Sequence, residues 1–259
     1  MSRLEGRWIL ITGASSGIGA ACARALVEDG AGLVLWARRG ARLADLAADL
    51  SGGDVAVRTA EVDVRDRERV HQAAETLVAA GIVPDVLVNN AGLASGLDPV
   101  QEGDPDDWDR MIDTNVKGLL NVTRAILPHM IRLGRGHVVN VGSTAGHMVY
   151  PRGNVYNATK YAVRALTEAM NLDVAGTPIR VSSVDPGFVE TEFSLVRFHG
   201  NRERADAVYE GFQPLSPDDV ADAIRYVVNA PPHVNVADLV IVPTAQRNVY
   251  VLDREGPEA

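Results

Sequence analysis

Short apolar runs alternate with longer amphipathic stretches along nearly the whole chain. Residues 8–12, WILIT, are the first such run. They lead without a break into a glycine-rich segment and then a helical pattern over 20–28 that Gly30 closes. Continuous apolar runs of this length suit strands covered on both faces of a parallel sheet. The rhythm then repeats: strand 33–36, helix 41–50, strand 55–61, a helix from near Arg65 to Ala80, and strand 86–88. One long helix over 106–133, kinked at Pro128, is followed by strand 137–141, helix 155–174 and strand 179–184. Ser216, with Pro217 just inside, starts a last helix to residue 229, and 239–243 is the seventh strand. Such alternation predicts a single α/β domain on a doubly wound, seven-stranded parallel sheet.

Composition narrows the setting. A chain of 259 residues suits one large α/β domain, and 46% hydrophobic with 23% charged residues is ordinary for a soluble protein. No run of about 18 apolar residues is present, so no membrane span is expected. Residues 1–6 carry no apolar signal region, which points to a cytoplasmic protein. The single cysteine, Cys22, excludes an internal disulfide and makes a cysteine metal site implausible, so no metal is expected. Within an Ala-rich helical run it reads as a buried packing residue. A net charge of −9 argues against nucleic acid as a partner.

Two stretches carry chemistry. The first is Gly13, Ala14, Ser15, Ser16, Gly17, Ile18 and Gly19, placed between a strand and a helix. Glycines there let the backbone approach a pyrophosphate, and the helix N-terminus offers free N–H groups, as in Rossmann-type dinucleotide folds. At the end of the second strand, where an acid would bind the ribose of NAD, stand Arg38 and Arg39, which suit the 2′-phosphate of NADP. Two solvated loop arginines are the alternative. Asp63 either accepts from an adenine amino group or caps the helix near Arg65. Asn90, Ala91 and Gly92 break the fourth strand where a cofactor would lie against the backbone.

The second stretch sets Tyr156 and Lys160 four residues apart on a helix, so their Cβ atoms lie about 5–6 Å apart on one face. A nearby ammonium favours the phenolate and lowers a tyrosine pKa from its usual value of about 10. Of the 25 basic residues only Lys117 and Lys160 are lysine. Arginine is a broad, permanently charged fork, whereas lysine is a compact ammonium able to join a proton relay. A packing tyrosine and a solvated lysine are the plainer alternative. Ser143 lies thirteen residues before Tyr156, where the fifth strand ends. Residues 188–215 interrupt the alternation, and an insertion at that strand end reads as a substrate lid. The tail, 249–259, reads as disordered or as a subunit-contact arm.

Taken together, these pieces resemble the short-chain dehydrogenase/reductase family over roughly residues 5–245: the Thr12–Gly19 loop, Asn89 to Gly92, Asn115, Ser143, Tyr156 with Lys160, and Pro186-Gly187 followed by Thr191. The resemblance implies that Tyr156 is the general acid or base and that Lys160 lowers its pKa and holds the nicotinamide ribose. Ser143 would bind the reacting oxygen, and Asn115 would hold a water linking Lys160 to solvent. Pro186, Gly187, Val189 and Thr191 would flank the nicotinamide, with Thr191 on its carboxamide. The C-terminal residues Thr191-Glu192-Phe193-Ser194 and Val196-Arg197-Phe198 are similar to NADP-dependent 3-hydroxy acid dehydrogenases, which include serine and allo-threonine dehydrogenases. A carboxylate substrate needs a cation, for which Arg197 leads and Arg152 follows. A 3-oxoacyl or general ketone/aldehyde reductase of the same family is the alternative, and a non-catalytic NADP-binding regulator the remote one. The resemblance also implies a homotetramer.

Overall fold

The computed structural model describes residues 2–51 and 55–254. Seven parallel strands form one sheet in the order β3-β2-β1-β4-β5-β6-β7. They are β1 Trp8–Thr12, β2 Gly32–Ala37, β3 Val57–Glu61, β4 Val86–Asn89, β5 Gly136–Val141, β6 Ile179–Pro186 and β7 Asp238–Ile241. The apolar runs divide between the two faces residue by residue, as a pleat of period two requires. Ile9, Ile11, Leu33 and Leu35 pack under helices α1 (Gly17–Val27), α2 (Gly40–Leu50) and α9 (Pro217–Val228). Leu10, Val34 and Trp36 point to the opposite face, under α3 (Arg67–Ala79), α5 (Leu119–Leu133) and α6 (Asn154–Asp173). Cys22 is buried in the first of these layers, its thiol pushed up to about 12 by burial, and so is an unreactive packing residue.

The predicted long helix is real but its irregularity lies elsewhere. It comprises α4 (Pro105–Ile112), a π-helical turn over Asp113–Gly118, and α5, which runs on through Pro128. The wide turn carries Asn115 inward, and Gly118 lets it approach the sheet layer, since a Cβ there would meet Val64 Cγ2 at 2.6 Å. The lid region holds two short helices, α7 (Glu192–Arg197) and α8 (Arg202–Asp206). Its ends meet where Val189 bridges to Leu215.

The described part of the tail, 249–254, packs within the chain rather than standing free. Arg254 donates to Glu210 O and Val208 O, and Tyr250 donates to Val149 O. The remaining tail residues, 255–259, lie outside the described residues.

One buried group makes the fold acid-sensitive. His137 on β5 is buried with Nε2 2.7 Å from Ser182 Oγ, and burial pushes its pKa down to about 3. The unfolded chain therefore takes up this proton first, near its ordinary value of about 6.5. Stability from His137 is full above that value and is lost as pH falls toward 3. His137→Gln is expected to flatten the fall, read from urea midpoints across this range.

Candidate active site

Strand order reverses direction between β1 and β4, and at such a switch point the loops leaving the carboxyl ends part to form a crevice. Here that crevice is a cleft of about 300 Å³. The loop after β1 supplies Gly13, Ser15, Ser16, Gly17 and Ile18 to its wall, and the turn after β2 supplies Arg38 and Arg39. Asp63, Asn90, Ala91 and Gly92 line it from the ends of β3 and β4, and Pro186, Gly187, Val189 and Thr191 from beyond β6. Of the predicted loop residues, Ala14 and Gly19 stay behind the wall. A Cβ on Gly19 would come within 2.5 Å of Gly13 O, so its bareness lets α1 close onto the loop.

Several observations fit a dinucleotide in this cleft. At the N-terminus of α1 the flanking Ser16 makes no capping bond, and α2 likewise starts at Arg39 without one, whereas Asp66 caps α3 and Ser216 caps α9. Uncapped backbone N–H groups facing a cleft suit phosphate oxygens. Thr114 also lines the cleft, and its buried hydroxyl has no partner among the described residues. Arg39 reaches back over the loop to the hydroxyls of Ser15 and Ser16, and it shares Glu192 of α7 with Arg42. Asp63 does not cap a helix: α3 begins at Arg67 under Asp66, and Asp63 pairs with the Arg65 guanidinium, which holds its carboxyl below the usual range against the effect of burial.

At the other end of the cleft stand Ser143, Tyr156 and Lys160. Tyr156 and Lys160 share the buried face of α6, and the ammonium lies 5.9 Å from the tyrosine ring centre. Lys160 Nζ donates to Val141 O at 2.9 Å, and burial lowers its pKa to about 8. Tyr156 departs from the sequence expectation. Its pKa lies above the ordinary phenol value because burial dominates, reinforced by Tyr150, while Ser143 and Arg197 pull the other way. At this separation Lys160 does not overcome burial, so the free site holds a neutral phenol, poised to give a proton rather than take one.

Asn115 lies buried within the π-helical turn. Its amide is consumed by Leu93 N and O, each at 2.8 Å, and by Thr159 Oγ1 at 3.0 Å. Both of its N–H groups are therefore committed to holding the Leu93 loop and α6 together.

Of the two substrate candidates, Arg197 sits close to the chemistry. Its guanidinium lies 5.6 Å from the Tyr156 ring centre and 5.5 Å from that of Tyr150, donating to the Tyr150 hydroxyl at 2.9 Å and to Gly96 O at 3.2 Å. These partners are neutral, and no carboxylate pairs with Arg197 among the described residues. Phe193 of the same lid helix meets Tyr156 edge-on at 5.5 Å. Arg152 is exposed on a turn with φ of 64° and lines only a shallow depression beside Arg197 and Tyr156. Sequence reading missed Tyr150, whose sole local signal is its position six residues before Tyr156. It also missed Gln246, which anchors the lid's base by accepting from Phe188 N.

Comparison with known proteins accords with this geometry. The sequence model of the short chain dehydrogenase family matches residues 7–200. The NADP-dependent 3-hydroxy acid dehydrogenase YdfG of Salmonella typhi is 44% identical over 92% of this chain and 95% of its own. Sulfoacetaldehyde reductase 2 of Chromohalobacter salexigens is 46% identical over 95% and 98%. Among solved structures, the closed form of a serine dehydrogenase complexed with NADP+ superposes with a TM-score of 0.90, at 41% identity, over 93% of this chain and 97% of that one. A glycine loop under an uncapped helix, a buried tyrosine and lysine on one helix face, and a sequence match over most of the chain have one explanation: this protein belongs to the short chain dehydrogenase family.

Proposed function

We propose that this protein is an NADP-dependent oxidoreductase that interconverts the hydroxyl and carbonyl forms of a small anionic substrate, a 3-hydroxy acid such as serine or allo-threonine. The observation that carries the anionic part is Arg197, a guanidinium beside the Tyr156 ring that has no carboxylate partner among the described residues. The relatives named for 3-hydroxy acids and serine support the same reading. The relative named for sulfoacetaldehyde favours a second one, in which a sulfo group takes the place of the carboxylate on Arg197. A 3-oxoacyl or neutral ketone reductase would leave this cation without use.

In the reductive direction, the nicotinamide supplies the hydride to the carbonyl carbon. The chain's own residues handle the oxygen. Tyr156 gives its phenolic proton to that oxygen as negative charge develops, Ser143 donates a hydrogen bond to it, and Lys160 stabilises the tyrosinate left behind. Oxidation reverses these steps. Ser15, Ser16, Ile18 and the free N–H groups of α1 would hold the pyrophosphate, Asn90 to Gly92 the adjoining ribose, and Pro186 to Thr191 the nicotinamide. Residues 188–215 would act as the lid, closing over substrate through Phe193 and Arg197.

Arg38 and Arg39 would grip the 2′-phosphate. Arg39→Ala is expected to lower kcat/KM with NADP by about tenfold or more, the worth of one charge-assisted bond, while leaving NAD nearly unaffected. Steady-state kinetics with both cofactors check this, and wild-type kcat/KM with NAD at or above that with NADP would refute the arginine assignment. A panel of hydroxy acids, sulfo-aldehydes and neutral ketones tests the substrate class. A cytoplasmic homotetramer is part of the same reading. The exposed apolar side chains Leu120, Ile131, Tyr161 and Leu172 support such subunit contacts.

A further inference from the structure

Behind the cleft lies a buried carboxylate that none of these roles employs. Asp185, near the end of β6, accepts the Ser183 hydroxyl at 2.6 Å and faces His147 Nε2 at 2.6 Å. Asp238 of β7 completes the group, 3.9 Å from the same imidazole nitrogen. Strand register assembles it: Ser183 lies opposite Asp238, and Asp185 follows two residues later on the same face. His147 and Asp238 reach solvent, whereas Asp185 does not.

Gly142 of the cleft wall packs directly on Asp185. A Cβ on Gly142 would overlap Asp185 Oδ1. Gly142 itself lines the cleft between Ser143 and Val141, whose carbonyl holds Lys160. No arginine or lysine pairs directly with Asp185 among the described residues, and a buried charge without a cation nearby is costly. We propose that Asp185 is a positioning residue of the active site: a fixed negative charge behind Gly142 that holds Lys160 as an ammonium, with Ser183 and His147 keeping the carboxylate in place.

The surrounding charges give the proposal its sign. From α6, Lys160 and Tyr156 face the cluster, and Arg164 acts on Asp238. His147 faces it from the turn after β5, and Asp238 from β7. The Asp238 carboxyl lies above its ordinary range through burial first and its hydrogen bond with the neighbouring Asp185 second. Burial pulls Lys160 down and Asp185 opposes it. The same carboxylate disfavours the Tyr156 phenolate. Removing it therefore lowers both pKa values.

The inference rests on the proton chemistry assigned above to Tyr156 and Lys160, but its test needs no turnover, so the two fail separately. Lys117 and Lys160 are the only lysines, and Lys117 is an exposed reference. Trace acetylation with acetic anhydride, followed by peptide mass spectrometry between about pH 6 and 10, reports the Lys160 titration directly. The wild-type midpoint is expected near 8. Asp185→Asn is expected to lower it by about one pH unit or more, since a unit charge within about 12 Å at an effective dielectric constant of about 20 is worth at least that. Asp185→Ser, also uncharged, stands in if the amide variant does not fold. An unchanged midpoint overturns the proposal, and so does a rise toward the ordinary lysine value, which marks a loosened site and a merely structural role.

Discussion

Tyr156→Phe is expected to cut turnover by about 10²- to 10⁴-fold, the usual worth of a positioned acid or base, while the protein stays folded and binds NADP normally. The substitution removes one oxygen and keeps the ring. That ring belongs to a small apolar cluster with Leu93, Ala94, Met111 and Ala145, and it meets Phe193 at 5.5 Å, contacts that phenylalanine retains. Only the proton is lost. Burial keeps the phenol protonated in the free site, so in reduction the loss falls on the proton given to the developing alkoxide, and in oxidation on the tyrosinate that must form before it can take the alcohol's proton. Single-turnover rates in both directions, with NADP affinity measured by calorimetry, check the split between chemistry and binding. Unaltered turnover would remove Tyr156 from the mechanism.

Arg197→Met is the second large effect, and it is selective. Methionine keeps an apolar stem of similar length but no charge. For a carboxylate substrate, KM is expected to rise by about 30- to 100-fold, matching the loss of a hydrogen-bonded charge pair worth about 2–3 kcal/mol. For a neutral ketone of the same size little should change. Arg197 also donates to Tyr150 and to Gly96 O, so the variant loses part of the lid's anchorage, a cost that falls on both substrates alike. The ratio of the two KM changes therefore isolates the charge. Equal changes would mean that Arg197 serves the lid rather than the substrate.

Both predictions rest on residues legible in the sequence, for different reasons. The central strands were legible because they are covered on both faces and so read as unbroken apolar runs, as in β1 and β4, whereas the edge strand β3 shows only alternation. The site loops were legible because they lie where those runs end in small residues. What escaped depends on contacts between distant segments. The π turn around Asn115 has no local signature; it accompanies an amide bonded to Leu93 and a glycine pressed on Val64, while the visible proline downstream leaves α5 uninterrupted. Helices α7 and α8 are six and five residues long, too short for a helical period to show. The direction of the Tyr156 shift escaped for an energetic reason: spacing reports that a lysine is near, but not how completely both groups are buried. Asp185 escaped likewise, since a strand-end acid looks the same in sequence whether it faces solvent or lies under Gly142.

The central claim joins NADP, Tyr156 and an anionic substrate. Its most direct test is the initial rate of NADP reduction with serine or a related 3-hydroxy acid, set against the methyl ester of the same compound, which keeps the hydroxyl and loses the charge. The account predicts kcat/KM for the acid at least about tenfold above that for the ester, with NADP preferred to NAD. Ester oxidised as well as acid, or neither oxidised with NADP, would contradict it.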